Sequence, residues 1–263
     1  MTILSITTDF GLTNGFVGVM KGVIYGIAPD VKIVEISQLI SAQNVFEGAY
    51  AMWRAVPFFP SGSVHVGVVD PGVGTERRPI GACLGEQYFI APDNGLLTPL
   101  ILDAERNGSA VEFVHLDNPK YWLPKISNTF HGRDIFAPTG AHLAAGVPLR
   151  ELGTPITNPI RLDMPHPEKT RTGWLAHVTI IDIFGNLTTD LPEDALGGQR
   201  DVLIRICDHE IDGIIESYGH QQVDDLVAVV DSEYYIEIAV VNGSAAKTLG
   251  AQIGDIVEVI FRD

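Results

Sequence analysis

The sequence predicts an α/β N-terminal domain with a mostly parallel sheet, followed by a smaller all-β C-terminal barrel domain. Three observations predict it. Up to residue 150 short apolar strands alternate with helical segments, the pattern of a sheet covered by helices. From Pro148 to Arg171 the chain carries five of its 16 prolines and little apolar periodicity, so 151–171 reads as a linker. Beyond it come only short strands separated by turns, with no convincing helix, which points to a small antiparallel barrel or sandwich.

The first strand, Ile3 to Thr7, runs into Thr8-Asp9-Phe10-Gly11. Phe16 to Ile27 follows as a helix with Gly18, Gly22 and Gly26 on one face, a spacing that lets a helix lie close against a sheet or another helix. Asp30 to Ile36 alternates as a second strand. Asn44 to Val56 is a helix by the spacing of Val45, Ala49, Met52, Trp53 and Val56, and Pro57 and Pro60 stop it. Val64 to Val69 is a buried strand. Ile80 to Leu84 and Gln87 to Ala91 pair around Gly85-Glu86, and Pro92-Asp93-Asn94-Gly95 is a turn ahead of Leu96 to Leu102. Val111 to Leu116 is a short strand, and a helix runs from about Ile135 to Ala145. In the second domain the strands are Gly173 to Ile183, Asp201 to Ile206, Leu226 to Val230, Tyr235 to Val241 and Asp255 to Phe261.

Composition narrows the function. A chain of 263 residues with 46% hydrophobic and 19% charged residues can bury a substantial core. A formal net charge of −16 argues against a nucleic-acid partner. There is no apolar run long enough to span a membrane, and the N-terminus enters a strand without a signal-like segment. Cys83 and Cys207 read as two ordinary buried thiols. The expectation is a soluble, cytoplasmic protein.

The chain is organised around Val68-Val69-Asp70-Pro71-Gly72-Val73-Gly74-Thr75-Glu76-Arg77-Arg78, where a buried strand ends in a carboxylate at a Gly-rich turn. Open α/β sheets place ligand-binding residues at such strand ends. The plain alternative is a strand-ending turn with two solvated arginines. Ser127-Asn128-Thr129-Phe130-His131-Gly132-Arg133-Asp134 crowds polar groups at a helix N-terminus, where they can act as a site or pair among themselves. Phosphate-loop, zinc-helix and nucleophile-elbow motifs are absent, as is a carboxylate cluster for a hard metal. An enzyme of this sequence is expected to work without a metal, a cofactor or a covalent nucleophile.

Five segments in order resemble the S-adenosylmethionine hydroxide adenosyltransferase family, adenosine-forming S-adenosylmethionine hydrolases related to the fluorinating and chlorinating enzymes. They are Thr7-Thr8-Asp9-Phe10-Gly11, Val69 to Thr75, Thr129 to Asp134, Asp182 with Phe184-Gly185-Asn186, and Asn242-Gly243-Ser244-Ala245-Ala246. The resemblance implies a homotrimer with sites between subunits and S-adenosyl-L-methionine as substrate. It implies that Asp9 takes both ribose hydroxyls and that Asp70, Arg77 and His131 hold the attacking water. Phe184 and Asn186, with the backbone around Asn242, Ser244 and Ala245, would form the adenine site, and Asp182 would bind the methionine end. Asn14 and Phe130 complete the expected substrate contacts. Arg77 is preferred by its seven-residue spacing from Asp70, with Arg78 as the alternative.

Departures from the halogenating relatives carry information too. Asp70 replaces an aromatic or apolar residue and Gly132 a halide-binding Ser, and a carboxylate there repels halide while accepting a proton from water. The implied reaction is in-line attack of water on the ribose 5′ carbon, with Asp70 or His131 taking the proton. A halogenase, a metal-dependent nucleoside ribohydrolase and a non-catalytic nucleoside-binding protein are the rival readings.

Overall fold

The protein is described by a computed structural model covering residues 2–262. The chain divides into two compact units, 1–163 and 164–263.

The first unit is a seven-stranded sheet between helices. Its elements in chain order are β1 (Ile3–Thr8), α1 (Phe16–Ile27), β2 (Lys32–Ser37), α2 (Val45–Ala55), β3 (Val64–Val68), β4 (Pro79–Leu84), β5 (Gln87–Pro92), α3 (Thr98–Arg106), β6 (Val111–His115), α4 (Ala137–Ala144) and β7 (Thr154–Ile156). The strands lie in the order β2-β1-β3-β5-β4-β6-β7. Because side chains alternate along a strand, each sheet face has its own core. Leu4, Ile6, Val64, Val66 and Val68 meet Met20 and Ile24 of α1 and Ala137 and Ala141 of α4. Val69, Ala82, Phe89 and Ala91 meet Ala49 and Met52 of α2 and Leu100 and Ile101 of α3. Asn44 caps α2, its side chain accepting from Glu47 N.

Three expectations for this unit are corrected. The sheet is mixed rather than mostly parallel: β1, β2, β3 and β5 pair in parallel, whereas β4 runs antiparallel to β5 and β6, and β7 antiparallel to β6. The two-residue turn between β4 and β5 permits only antiparallel pairing, so these two neighbours must run in opposite directions. The α1 glycines face neither sheet nor helix, for a Cβ on Gly18, Gly22 or Gly26 would meet nothing within 4 Å. The helix buries Val17, Met20 and Ile24 instead. The expected linker 151–171 is partly built into this unit. Its β7 joins the sheet, and Ile160 N and Leu162 N donate to the buried side chains of Asp93 and Thr98, at 2.7 and 2.9 Å. Backbone held by distant side chains leaves no periodic mark in the sequence.

The second unit is an antiparallel, nearly closed barrel. It contains β8 (Glu168–Lys169), β9 (Gly173–Ile181), β10 (Leu187–Pro192), β11 (Val202–Ile206), β12 (His209–Asp212), β13 (Leu226–Val230), β14 (Tyr235–Val240), α5 (Ala245–Leu249) and β15 (Ile256–Phe261). Seven strands follow the order β12-β11-β15-β9-β10-β14-β13, and β8 pairs with β9. The edges approach where Ile215 N donates to Ala228 O at 2.9 Å. Val178, Leu187, Ile204, Ile236, Ile238 and Val257 fill the interior. The strands β8, β10 and β12 and the one-turn α5 add to the expected elements. Cys83 and Cys207 are free thiols and only half-buried, which corrects the expectation of buried ones.

Candidate active site

Parallel β1 and β3 are neighbours, with Thr8 opposite Val68, so Asp9 and Asp70 leave the same edge of the sheet. Asn94 Nδ2 donates to Val69 O at 2.8 Å and anchors the start of the second loop. Turns closed by Val73 N to Asp70 O and Thr75 N to Gly72 O then fold Arg77 back onto Asp70. Arg77 Nε donates to Asp70 Oδ1 at 2.8 Å and Nη2 donates to Oδ2, a bidentate pair. The two side chains are only 9% and 5% exposed. Arg78 points elsewhere, to Asp93 and Asn158, so of the two candidate arginines it is Arg77 that meets Asp70.

His131 joins this pair. Arg77 Nη2 lies 3.0 Å from His131 Nδ1. A guanidinium can only donate, so Nδ1 accepts and the neutral ring carries its proton on Nε2. Burial, and then Arg77, push the imidazole below its ordinary value, against the opposing fields of Asp70 and Asp134. The Arg77 guanidinium lies over the Phe136 ring, 5.0 Å from its centroid. Its Nη1 is buried without a hydrogen-bond partner. Buried donors are rarely left unpaired, which marks the position as one that receives an acceptor.

The other polar groups of the 127–134 segment pair among themselves. Asp134, fully buried, accepts from Ser127 N, Ser127 Oγ, Arg133 Nε and Arg133 Nη2. The expected helix from Ile135 starts earlier, with a π turn over Gly132–Phe136, an irregularity frequent at functional sites. A Cβ on Gly132 would sit 3.2 Å from Phe10 Cε2 and 3.3 Å from Met20 Sδ, so this position is already filled by its neighbours.

Around Asp9 the site opens. Asp9 Oδ2 accepts from Gln43 N at 2.8 Å. Phe10, Phe16 and Phe130 pack edge to face, and with Ser127, Thr129 and Arg133 they line a cavity of about 400 Å³. Asn14 is exposed on the same loop as Asp9.

In the barrel the remaining candidates form one cluster. Asp182 Oδ1 accepts from Phe184 N and Asn186 N, and its Oδ2 from Asn186 Nδ2, so this carboxylate shapes its own hairpin. Gly185, at φ 85°, lies so close to the second loop that a Cβ would be 2.0 Å from Ser244 Oγ. Ala246 N donates to Gly185 O at 2.9 Å, which brings Phe184 and Asn186 to Ser244 and Ala245. Asn242 takes the left-handed conformation, at φ 56°. Phe184 is 71% exposed, a large ring held out at the hairpin tip. One further group belongs to none of the sequence motifs. Glu237, 5% exposed, accepts from the Tyr218 hydroxyl, and burial, then Glu237, raise that phenol's pKa. Its one signal in the sequence is a Glu in an otherwise apolar strand, Tyr235–Val240. Among the described residues no group of three or more His, Cys, Asp or Glu side chains is placed to hold a metal ion, and no helix is long and apolar enough to cross a membrane.

Residues 4–153 match the SAM hydroxide adenosyltransferase N-terminal domain, and residues 176–258 its C-terminal domain. The chain belongs to the SAM hydroxide adenosyltransferase family. Within that family it is 36% identical to the (R)-S-adenosyl-L-methionine hydrolase of Salinispora tropica, covering 97% of each chain. It is 33% identical to the enzyme of that name from Methanocaldococcus jannaschii, over 99% of this chain and 97% of the other. A fluorinase from an Actinoplanes species is more distant, 29% identical over 90% of each. A crystal structure of an uncharacterised conserved protein from Thermotoga maritima superposes with a TM-score of 0.89, at 36% identity over 97% and 99% of the two chains.

Proposed function

We propose that this family member hydrolyses S-adenosyl-L-methionine to adenosine and L-methionine, by in-line attack of water on the ribose 5′ carbon. The observation that carries the chemistry is the buried Asp70–Arg77–His131 set with Arg77 Nη1 left unpaired. Arg77 stabilises the charge that develops on the oxygen of the attacking water. Asp70 or His131, both held against Arg77, receives its proton. As the oxygen–carbon bond forms, the carbon–sulfur bond breaks with its electron pair on sulfur. Methionine leaves as a neutral thioether, so no acid is needed at the leaving group.

Asp9 spends one carboxylate oxygen on Gln43 N, and it grips both ribose hydroxyls and so aims the 5′ carbon. Phe130 covers the sugar and Asn14 borders it. Phe184, Asn186, Asn242, Ser244 and Ala245 take the adenine, and Asp182 with Glu237 attracts the methionine ammonium. The names of the hydrolase relatives support this reading over halogenation. Asp70 supports it as well, since a carboxylate beside the nucleophile repels halide. The proposal extends to a homotrimer working in the cytoplasm without a metal or cofactor; light scattering of the purified protein tests the trimer.

The deciding experiment is incubation with S-adenosyl-L-methionine in water labelled with heavy oxygen, after chelation of metals. Adenosine carrying the label on its 5′ oxygen, with one methionine per adenosine, is the expected result. Free adenine would instead mean a ribohydrolase, a 5′-halogenated nucleoside in added halide a halogenase, and binding without methionine release a nucleoside-binding protein.

A further inference from the structure

The Asp70–Arg77–His131 set depends on His131 presenting Nδ1 to a guanidinium that is itself fixed from the other side. His131 does not bring the rigidity of a regular helix with it. It is the residue before a π turn, at the end of a stretch without secondary structure that leads from Trp122 to Phe130. Something has to define where that stretch ends.

The candidate is Asp134. Its side chain is fully buried, three residues beyond His131. It accepts four hydrogen bonds, two of them from Ser127: from the backbone N at 2.7 Å and from Oγ at 2.8 Å. Ser127 Oγ in turn accepts from Phe130 N at 3.1 Å, and Phe130 O accepts from the backbone N of Arg133 and of Asp134, both at 3.1 Å. The ring of bonds runs from residue 127 through 130 to 134 and encloses His131. Burial opposes the charge on Asp134, but the bonds from Arg133 and Ser127 outweigh it and hold the carboxyl below its ordinary value.

A second contact ties the same loop to the other half of the set. Gly74, at φ 78°, lies against Asn128, and a Cβ there would be 2.2 Å from the Asn128 carbonyl oxygen. The loop carrying Asp70 and Arg77 therefore abuts the segment that the Ser127–Asp134 bonds hold in place. Position at Asn128 and position at His131 are set together.

We infer that Asp134, acting through Ser127, is a positioning residue: it fixes the 127–131 segment so that His131 Nδ1 meets Arg77 and Asn128 meets Gly74. The inference rests on the hydrolase reading for its kinetic consequence but not for its structural one. Asp134 touches no reacting atom. Misplacing His131 by a fraction of its bond length to Arg77 loosens the Nδ1 contact and lets the imidazole exchange its two neutral tautomers.

Two variants test this, with two readouts. Asp134→Asn replaces one acceptor oxygen by an amide that faces donors on either side. Ser127→Ala removes the hydroxyl and leaves the Asp134 charge in place. Each is expected to lower kcat about 10- to 100-fold, with a smaller loss of adenosine affinity through Phe130, the pattern of a misplaced reacting group. Ser127→Thr, which keeps the hydroxyl, restores most of the rate. The second readout is imidazole 15N NMR of His131. The wild type is expected to show one tautomer, with Nδ1 as acceptor, and both variants a mixture. Charged neighbours that act on this titration are Arg77, Asp70 and Asp134, so Ser127→Ala isolates geometry from charge.

Variants that keep wild-type kcat and a single His131 tautomer overturn the inference. So does a loss of rate that follows a lowered melting temperature while the tautomer stays fixed, because that is a purely structural role. If the wild type releases no methionine, the hydrolase reading fails, and the NMR comparison still decides the positioning role.

Discussion

Arg77 serves two partners from adjacent edges of its guanidinium, Asp70 through Nε and Nη2 and His131 through Nη2. A planar fork does this with donors in fixed directions, a geometry that a lysine ammonium does not reproduce. Arg77→Lys is therefore expected to lower kcat by about 10² or more, as is Asp70→Asn, with adenosine affinity retained in both. Single-turnover rates beside calorimetric binding of adenosine make the measurement. Affinity that collapses while saturated turnover survives would place these residues in nucleoside binding and remove them from the water site. The neighbouring Arg78 shows how much hangs on one position: its pairing with buried Asp93 and with Asn158 braces the 158–162 segment and leaves it no part in the set.

At the scale of elements, the two groups of candidate residues are built differently. In the first unit the site lies on loops that leave adjacent parallel strands, so the sheet register sets how far apart Asp9 and Asp70 begin. In the barrel the candidate residues lie on a hairpin and a one-turn helix that touch at Gly185 and Ser244. Gly185→Ala forces a methyl group into Ser244 at a positive φ, costing on the order of 1–3 kcal/mol locally. The expected outcome is adenosine affinity reduced about tenfold or more, with the chemical step at saturation nearly intact. Titration calorimetry and saturating single turnover read the two quantities. Unchanged affinity would show that the 182–186 and 242–246 loops do not jointly hold the base.

For the whole molecule, the strongest acid-sensitive feature sits away from the site. His65 on β3 is fully buried, bonded at Nδ1 to Ser5 Oγ at 2.7 Å, stacked on Phe89 and edge-on to Phe59, with Nε2 unpartnered. Burial pushes its pKa down to about 4, although Gln87 acts the other way. The folded state thus binds this proton more weakly than the unfolded chain. The contribution to stability is present above about pH 6.5 and is lost as the pH falls toward 4, by about 3 kcal/mol in all. Urea unfolding of wild type and His65→Gln between pH 7.5 and 4.5 isolates the term. The wild type is expected to lose stability more steeply, and parallel curves would mean that His65 takes up its proton without opening the core.

What could be read from the chain was whatever local chemistry writes down. Apolar runs marked β1 and β3, alternation marked β2, helical spacing from Asn44 marked α2, and the acid at each strand end marked Asp9 and Asp70. Ordered motifs marked the family. Tertiary structure alone decided the rest, because it depends on partners distant in sequence. Arg77 and not Arg78 reaches Asp70, since a turn 70–77 folds only the first arginine inward. The sheet is mixed because a short hairpin turns β4 against β5 and the docked β7 runs against β6. The α1 glycines face outward because Val17, Met20 and Ile24 claim the sheet. A proline-rich stretch becomes a strand and a docked segment because Asp93 and Thr98 hold its backbone. Glu237 acquires its place only when β14 closes against β13 and Tyr218 covers it. Local propensity acts within a few residues, whereas burial and charge pairing act across the fold, and the site is made of the second kind.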